Sequence, residues 1–82
     1  YEAFPQVLLN VPVASKPVLE SVAGVAELVA SVEDELRDDG RVLLRYSGTE
    51  SLARVMVEGP DAEHIQARAE SIAACIRAEI GA

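Results

Sequence analysis

Arg41-Val42-Leu43-Leu44-Arg45-Tyr46-Ser47-Gly48-Thr49-Glu50-Ser51-Leu52-Ala53-Arg54-Val55-Met56-Val57-Glu58-Gly59 holds two short runs rich in β-branched residues and leucine, Arg41–Tyr46 and Leu52–Glu58, around a polar bend. Runs of this length separated by Ser-Gly-Thr-Glu predict an antiparallel hairpin. Upstream, Val22, Val25, Ala26, Val29, Val32 and Leu36 share one face at helical spacing, so a helix is expected from about Val18 to Leu36. Gly24 weakens it, and Asp38-Asp39-Gly40 ends it, with Gly40 suited to a left-handed exit. Further upstream, Gln6–Val13 reads as a strand, with Pro12 marking an edge position or an early stop. Downstream, Gly59-Pro60-Asp61 is a stop followed by a helix start with Asp61 as N-cap. Ile65, Ala69, Ile72, Ile76 and Ile80 then form the apolar stripe of a last helix.

The predicted order is β-α-β-β-α. Such a chain packs most simply as a two-layer α+β domain, a largely antiparallel sheet with both helices on one face. Strand alternation sorts the side chains. Val7, Leu9, Val11, Val13, Val42, Leu44, Val55 and Val57 should face the helices. Leu8, Asn10, Leu43, Arg45, Arg54, Met56 and Glu58 should lie on the other face. That second face is too apolar for a fully solvated sheet, as expected of a surface covered by another domain.

At 82 residues the chain is one domain. Half of it is hydrophobic, but its aromatics are only Tyr1, Phe4 and Tyr46, so the core must come from Val, Leu, Ile and Ala. The net charge of −7, with no basic cluster, argues against nucleic acid and anionic membranes as partners. No apolar run approaches a membrane span, and no signal peptide is recognisable. Cys75 has no internal cysteine to pair with, so nothing points to an oxidising compartment. The expectation is a cytoplasmic protein.

The bend gathers the chemistry. Arg45 offers a planar fork of donors, Ser47 and Thr49 add hydroxyls, and Gly48 lets backbone N–H groups approach an anion. An ordinary polar hairpin turn explains the same residues from composition alone. His64, beside Asp61 and Glu63, reads as a solvated helix residue, and Cys75 as a small, half-buried hydrophobe. The acidic run Glu33-Asp34-Glu35 with Asp38-Asp39 reads as a solvated helix end, because consecutive helical residues point in different directions.

RYSGTESLARVMVEG at Arg45–Gly59 resembles the C-terminal signature of the α-D-phosphohexomutases, R-x-S-G-T-E-P-x-x-R-V-M-V-E-G. Arg45, Ser47, Gly48, Thr49, Glu50 and Arg54 through Gly59 match it. PQVLLNV at Pro5–Val11 and GRVLLRYSG at the hairpin resemble the same domain, so the likeness covers essentially the whole chain. One position departs: Ser51 stands where the family usually has proline, which leaves the loop's exit freer.

The resemblance implies a TBP-like fold and residues 1–82 as the single, C-terminal, phosphate-binding domain of a larger four-domain mutase. A chain that begins at Tyr1 and has Met56 as its one methionine is consistent with that. The branch implied is the bacterial one that interconverts glucosamine 6-phosphate and glucosamine 1-phosphate for UDP-N-acetylglucosamine and peptidoglycan precursors. A phosphoserine, a Mg²⁺ loop and a sugar-reading loop are implied in the other domains. This chain would contribute no catalytic residue and no metal ligand, and alone it would be inactive. Its implied share is a clamp on the substrate's phosphate by Arg45, Ser47, Gly48 and Thr49, supported by Glu50 and Arg54, with Glu50 orienting an arginine by an ion pair. The implied partners are a phosphosugar and the remaining domains of the same enzyme. Phosphomannomutase and phosphoglucomutase branches, or a free-standing α+β interaction module, are the alternatives.

Overall fold

Leu52–Glu58 (β3) is the middle strand of an antiparallel sheet in the computed structural model, which describes residues 4–81. Gln6–Pro12 (β1) pairs along one edge of β3 and Arg41–Tyr46 (β2) along the other, giving the order β1-β3-β2. The register sets Leu9, Val55 and Leu44 side by side, and likewise Val7, Val57 and Val42. Directly opposed residues share a face, so these rows build one apolar surface. Two helices, Val25–Leu36 (α1) and Ala62–Ile80 (α2), cover it. Val11, Val55 and Val57 are fully buried there with Ile65, Ile72 and Ile76. Each such side chain contributes roughly 1.5–3 kcal/mol by leaving water. The expected two-layer α+β architecture is the one observed.

Among the described residues nothing covers the other face. Leu8 is 59% exposed and Leu43 46%. The predicted sorting of side chains between the faces is therefore correct, and Pro12 does lie on an edge strand.

The first helix is shorter than its apolar spacing predicts. Leu19–Ser21 forms a single 3-10 turn, Val22 is extended, and α1 begins only at Val25. Gly24 is the reason: it sits at φ 81°, a left-handed conformation that interrupts a right-handed helix. Leu19 and Val22 are buried all the same, so the apolar pattern is satisfied without helix. The helix exit also differs from expectation. Arg37, at φ 52° and ψ −125°, takes the positive-φ position, while Gly40 is extended at φ −179°. Gly40 is needed for space instead, since a Cβ there would collide with the Glu58 carbonyl. α2 starts as expected, with Asp61 Oδ1 accepting from the N–H groups of Glu63 at 3.0 Å and His64 at 3.2 Å.

Opposite outcomes follow for neighbouring substitutions. Gly40→Ala should destabilise the domain by about 1–3 kcal/mol, the usual cost of forcing extra volume into a packed position. Arg37→Gly should stabilise it by about 1 kcal/mol, relieving a conformation that costs a Cβ-bearing residue of order 1–3 kcal/mol. In thermal unfolding the second change corresponds to a rise of about 4–8 °C. A lower midpoint for Arg37→Gly would show that the turn after α1 has another path.

Candidate functional site

The loop joining β2 to β3 is closed at its base by Ser47 N–H donating to Leu52 O at 2.9 Å. Ser47 Oγ accepts from Glu50 N–H at 3.2 Å and from Thr49 N–H at 3.4 Å, folding the loop over its first residue. These bonds occupy the lone pairs of Ser47 Oγ and leave its proton free to donate outward. The Gly48 N–H has no backbone partner among the described residues.

Gly48 is not required by the chain's own geometry. Gly24 is the glycine with positive φ among the described residues, and a Cβ built on Gly48 would meet nothing within 4 Å. Neither a left-handed turn nor crowding asks for glycine here. Its bare Cα leaves open space beside the free N–H.

Arg45 lies two residues before Ser47 on the open sheet face, directly opposite Arg54, which is itself opposite Asn10. Like charges facing each other across a strand pair are unfavourable. Even so, neither guanidinium lies within ion-pair distance of a carboxylate among the described residues. At the far end of the same face the charges are matched: Arg41 Nε is 3.2 Å from Glu58 Oε1, and Gln6 Nε2 donates to Glu58 Oε2 at 3.3 Å. The open face thus grades from a neutralised row, through the apolar row Leu8–Met56–Leu43, to an uncompensated cationic row beside the loop.

Arg45 and Arg54 thus lie in one row of the open face, next to the loop that carries Ser47, Gly48 and Thr49. The expected ion pair of Glu50 with an arginine does not form among the described residues, and its N–H serves the loop instead. A connection the sequence reading missed fastens this region. Tyr46 Oη donates to Pro17 O, Lys16 Nζ donates to Ser47 O at 3.0 Å, and Val13 N–H donates to Ser51 O at 2.9 Å. Burial raises the Tyr46 hydroxyl pKa, so it remains a donor. Lys16 lies outside the signature and Tyr46 fills its unspecified position, and both act through backbone carbonyls, so neither carries a sequence signal.

Other candidates lie elsewhere. His64 is not the freely solvated residue expected. It is half-buried, and its Nε2 is 2.8 Å from Glu35 Oε1, which Arg68 Nε also approaches at 3.6 Å, so it ties α2 to α1. Cys75 is half-buried against Ala23 O at 3.5 Å; burial and then Glu79 and Glu27 raise its thiol pKa, which disfavours the nucleophilic thiolate. A groove of about 340 Å³ between α1 and β2 is lined by Leu19, Val25, Val29 and Leu44 with Glu20 and Glu33, a composition hostile to anions. Among the described residues no His, Cys, Asp or Glu side chains cluster to hold a metal, and no helix is long and apolar enough to cross a membrane.

Residues 8–75 match the family model of the phosphoglucomutase/phosphomannomutase C-terminal domain. Phosphoglucosamine mutase of Protochlamydia amoebophila is 48% identical over 80 residues, 98% of this chain and 18% of the relative. That of Anaeromyxobacter dehalogenans is 49% identical over 81 residues, 99% of this chain and 18% of the relative. The chain thus spans under a fifth of the length of these relatives. Among solved structures, Aspergillus fumigatus N-acetylphosphoglucosamine mutase in complex with GlcNAc-6P and magnesium superposes with a TM-score of 0.76 at 26% identity, over 92% of this chain and 16% of that one.

The loop geometry also bears on Ser51. Leu52 N–H donates to Glu50 O at 2.9 Å, a γ-turn centred on Ser51. Arg37 is the non-glycine residue with positive φ among the described residues, so this turn is the inverse form, with φ near −75°. That value suits proline, and no backbone carbonyl uses the Ser51 N–H among the described residues. Ser51→Pro keeps the carbonyl that Val13 binds. It should leave stability unchanged or raise it by about 0.4–1 kcal/mol by restricting the unfolded chain. A fall in the denaturation midpoint would contradict the turn assignment.

Proposed function

The chain belongs to the phosphoglucomutase/phosphomannomutase C-terminal domain family, and on that premise we propose that it is the substrate-phosphate clamp of a phosphoglucosamine mutase. The carrying observation is the pairing of an Arg45 without a carboxylate partner with a Gly48 whose missing Cβ has no structural reason, both among the described residues. An anion outside the chain supplies the reason. Arg45 grips two phosphate oxygens with its fork of donors. The hydroxyls of Ser47 and Thr49 and the Gly48 N–H complete the ring of donors, and Arg54 adds a second positive charge.

The clamp holds the phosphate that is not reacting. It reads a phosphate group and not the sugar, so glucosamine 6-phosphate, glucosamine 1-phosphate and a bisphosphorylated intermediate all fit it in either orientation. Remote binding energy of this kind positions the reacting end without touching it. Phosphoryl donation and sugar recognition fall to other domains of the longer enzyme, which would cover the Leu8–Met56–Leu43 row. In this reading the magnesium of the full enzyme belongs to another of its domains, since Arg45 and Arg54 beside the loop repel a cation. Supply of cytoplasmic peptidoglycan precursors belongs to the same proposal. Relatives that are phosphoglucosamine mutases support this branch over phosphomannomutase or phosphoglucomutase.

In the full-length enzyme, Arg45→Lys should lower kcat/KM by roughly 10- to 100-fold, since a point charge cannot replace a bidentate, charge-assisted grip. Steady-state kinetics within threefold of wild type would remove Arg45 from the site. The 82-residue chain alone should show no mutase turnover and bind glucosamine 6-phosphate at about millimolar strength, as expected of an exposed site. Amide shifts should concentrate at Tyr46–Ser51. Turnover by the chain alone would overturn the division of labour.

A further inference from the structure

Lys16 is the chain's one lysine, and it stands 31 residues before the loop it touches. It is not ion-paired among the described residues, although the chain has 14 acidic side chains. Arg41 and Arg68 do have carboxylate partners. Lys16 Nζ instead donates to the Ser47 carbonyl at 3.0 Å. That carbonyl belongs to the Ser47–Gly48 peptide, which is trans, as are the other peptides of the described chain. In a trans peptide the C=O and the following N–H point in opposite directions. By drawing the Ser47 oxygen toward the 13–17 connection, Lys16 turns the Gly48 N–H away from it. Among the described residues the N–H has no backbone partner on that side, and nothing beyond its chain neighbours lies within 4 Å of where a Gly48 Cβ would be.

We propose that Lys16 is a positioning residue of the phosphate clamp: it fixes the Ser47–Gly48 peptide so that the Gly48 N–H is aimed at the phosphate before the phosphate arrives. The inference rests on the clamp reading above. Two further bonds hold the same connection in place, Tyr46 Oη to Pro17 O and Val13 N–H to Ser51 O, so Lys16 acts from a fixed base. Preorganisation of this kind removes the need to order the peptide on binding. An ammonium so close also favours an anion over the loop, and that attraction weakens with salt.

The test is a titration of the 82-residue chain with inorganic phosphate, followed by amide shifts, for wild type, Lys16→Met, Lys16→Arg and Tyr46→Phe at one ionic strength. Lys16→Met should weaken phosphate about three- to fivefold, the scale of one exposed charged interaction, and remove most of the downfield movement of the Gly48 N–H. Lys16→Arg should restore both. Tyr46→Phe removes a different bond of the connection and should lower thermal stability but weaken phosphate by less than Lys16→Met does, because the Val13–Ser51 bond still holds the connection and Lys16 still reaches the Ser47 carbonyl. Loop shifts in wild type with an unchanged Lys16→Met titration would overturn the role of Lys16 and leave the clamp standing. Equal weakening by Lys16→Met and Tyr46→Phe would reduce Lys16 to a structural tether, also overturning it. Absence of any shift at Tyr46–Ser51 in wild type would overturn the clamp itself, and the inference with it.

Discussion

Side-chain alternation along β3 is the constraint on which the rest of this structure depends. As the middle strand, β3 exchanges hydrogen bonds on both edges, so its register fixes both neighbours. Ala53, Val55 and Val57 point one way and are completely buried. A one-residue slip of either neighbour would turn its apolar set outward, which the buried face forbids. The sheet is therefore sealed on the helical side, and Arg54 and Met56 must appear on the other. The cationic row beside the loop is a by-product of the same parity that builds the core.

Core and loop are joined more closely than a hairpin turn requires. The segment after β1 runs past the loop and bonds both of its limbs, at Ser47 and at Ser51. It also meets the end of α2, through Ala14 N–H to Ile80 O at 2.7 Å and the Val13–Gly81 bridge. The loop's shape thus depends on β1, β3 and α2 being assembled. A loop held in this way presents its donors at fixed positions, which lowers the ordering cost of any ligand that meets them.

Electrostatics divides the molecule in a related way. The net charge of −7 opposes any anion at long range. Against that field, Lys16, Arg45 and Arg54 stand at one end of the hairpin without carboxylate partners among the described residues, while the opposite end pairs Arg41 with Glu58. An anion at this end of the hairpin would depend on short-range, directional donors, which salt screens less than it screens the overall field.

Strand alternation, the five main elements and the Arg45–Thr49 donors could be read directly from the sequence, because period-two and helical spacing, turn residues and the N-cap at Asp61 are local signals. The start of α1 could not, since Leu19 and Val22 satisfy the apolar pattern equally well in a 3-10 turn and an extended residue once Gly24 turns left-handed. The exit of that helix at Arg37 in place of Gly40 was also hidden: Gly40 is claimed by its approach to the Glu58 carbonyl, a contact across the sheet. Lys16, Tyr46 and the His64–Glu35 pair were hidden for the same reason, each joining residues about 30 positions apart through contacts that leave no periodic mark. The sequence by itself determined which residues face the core and which chemistry gathers at the bend. Only the tertiary structure decided how that bend is held, because its orientation is set by hydrogen bonds to backbone carbonyls, and every residue carries one.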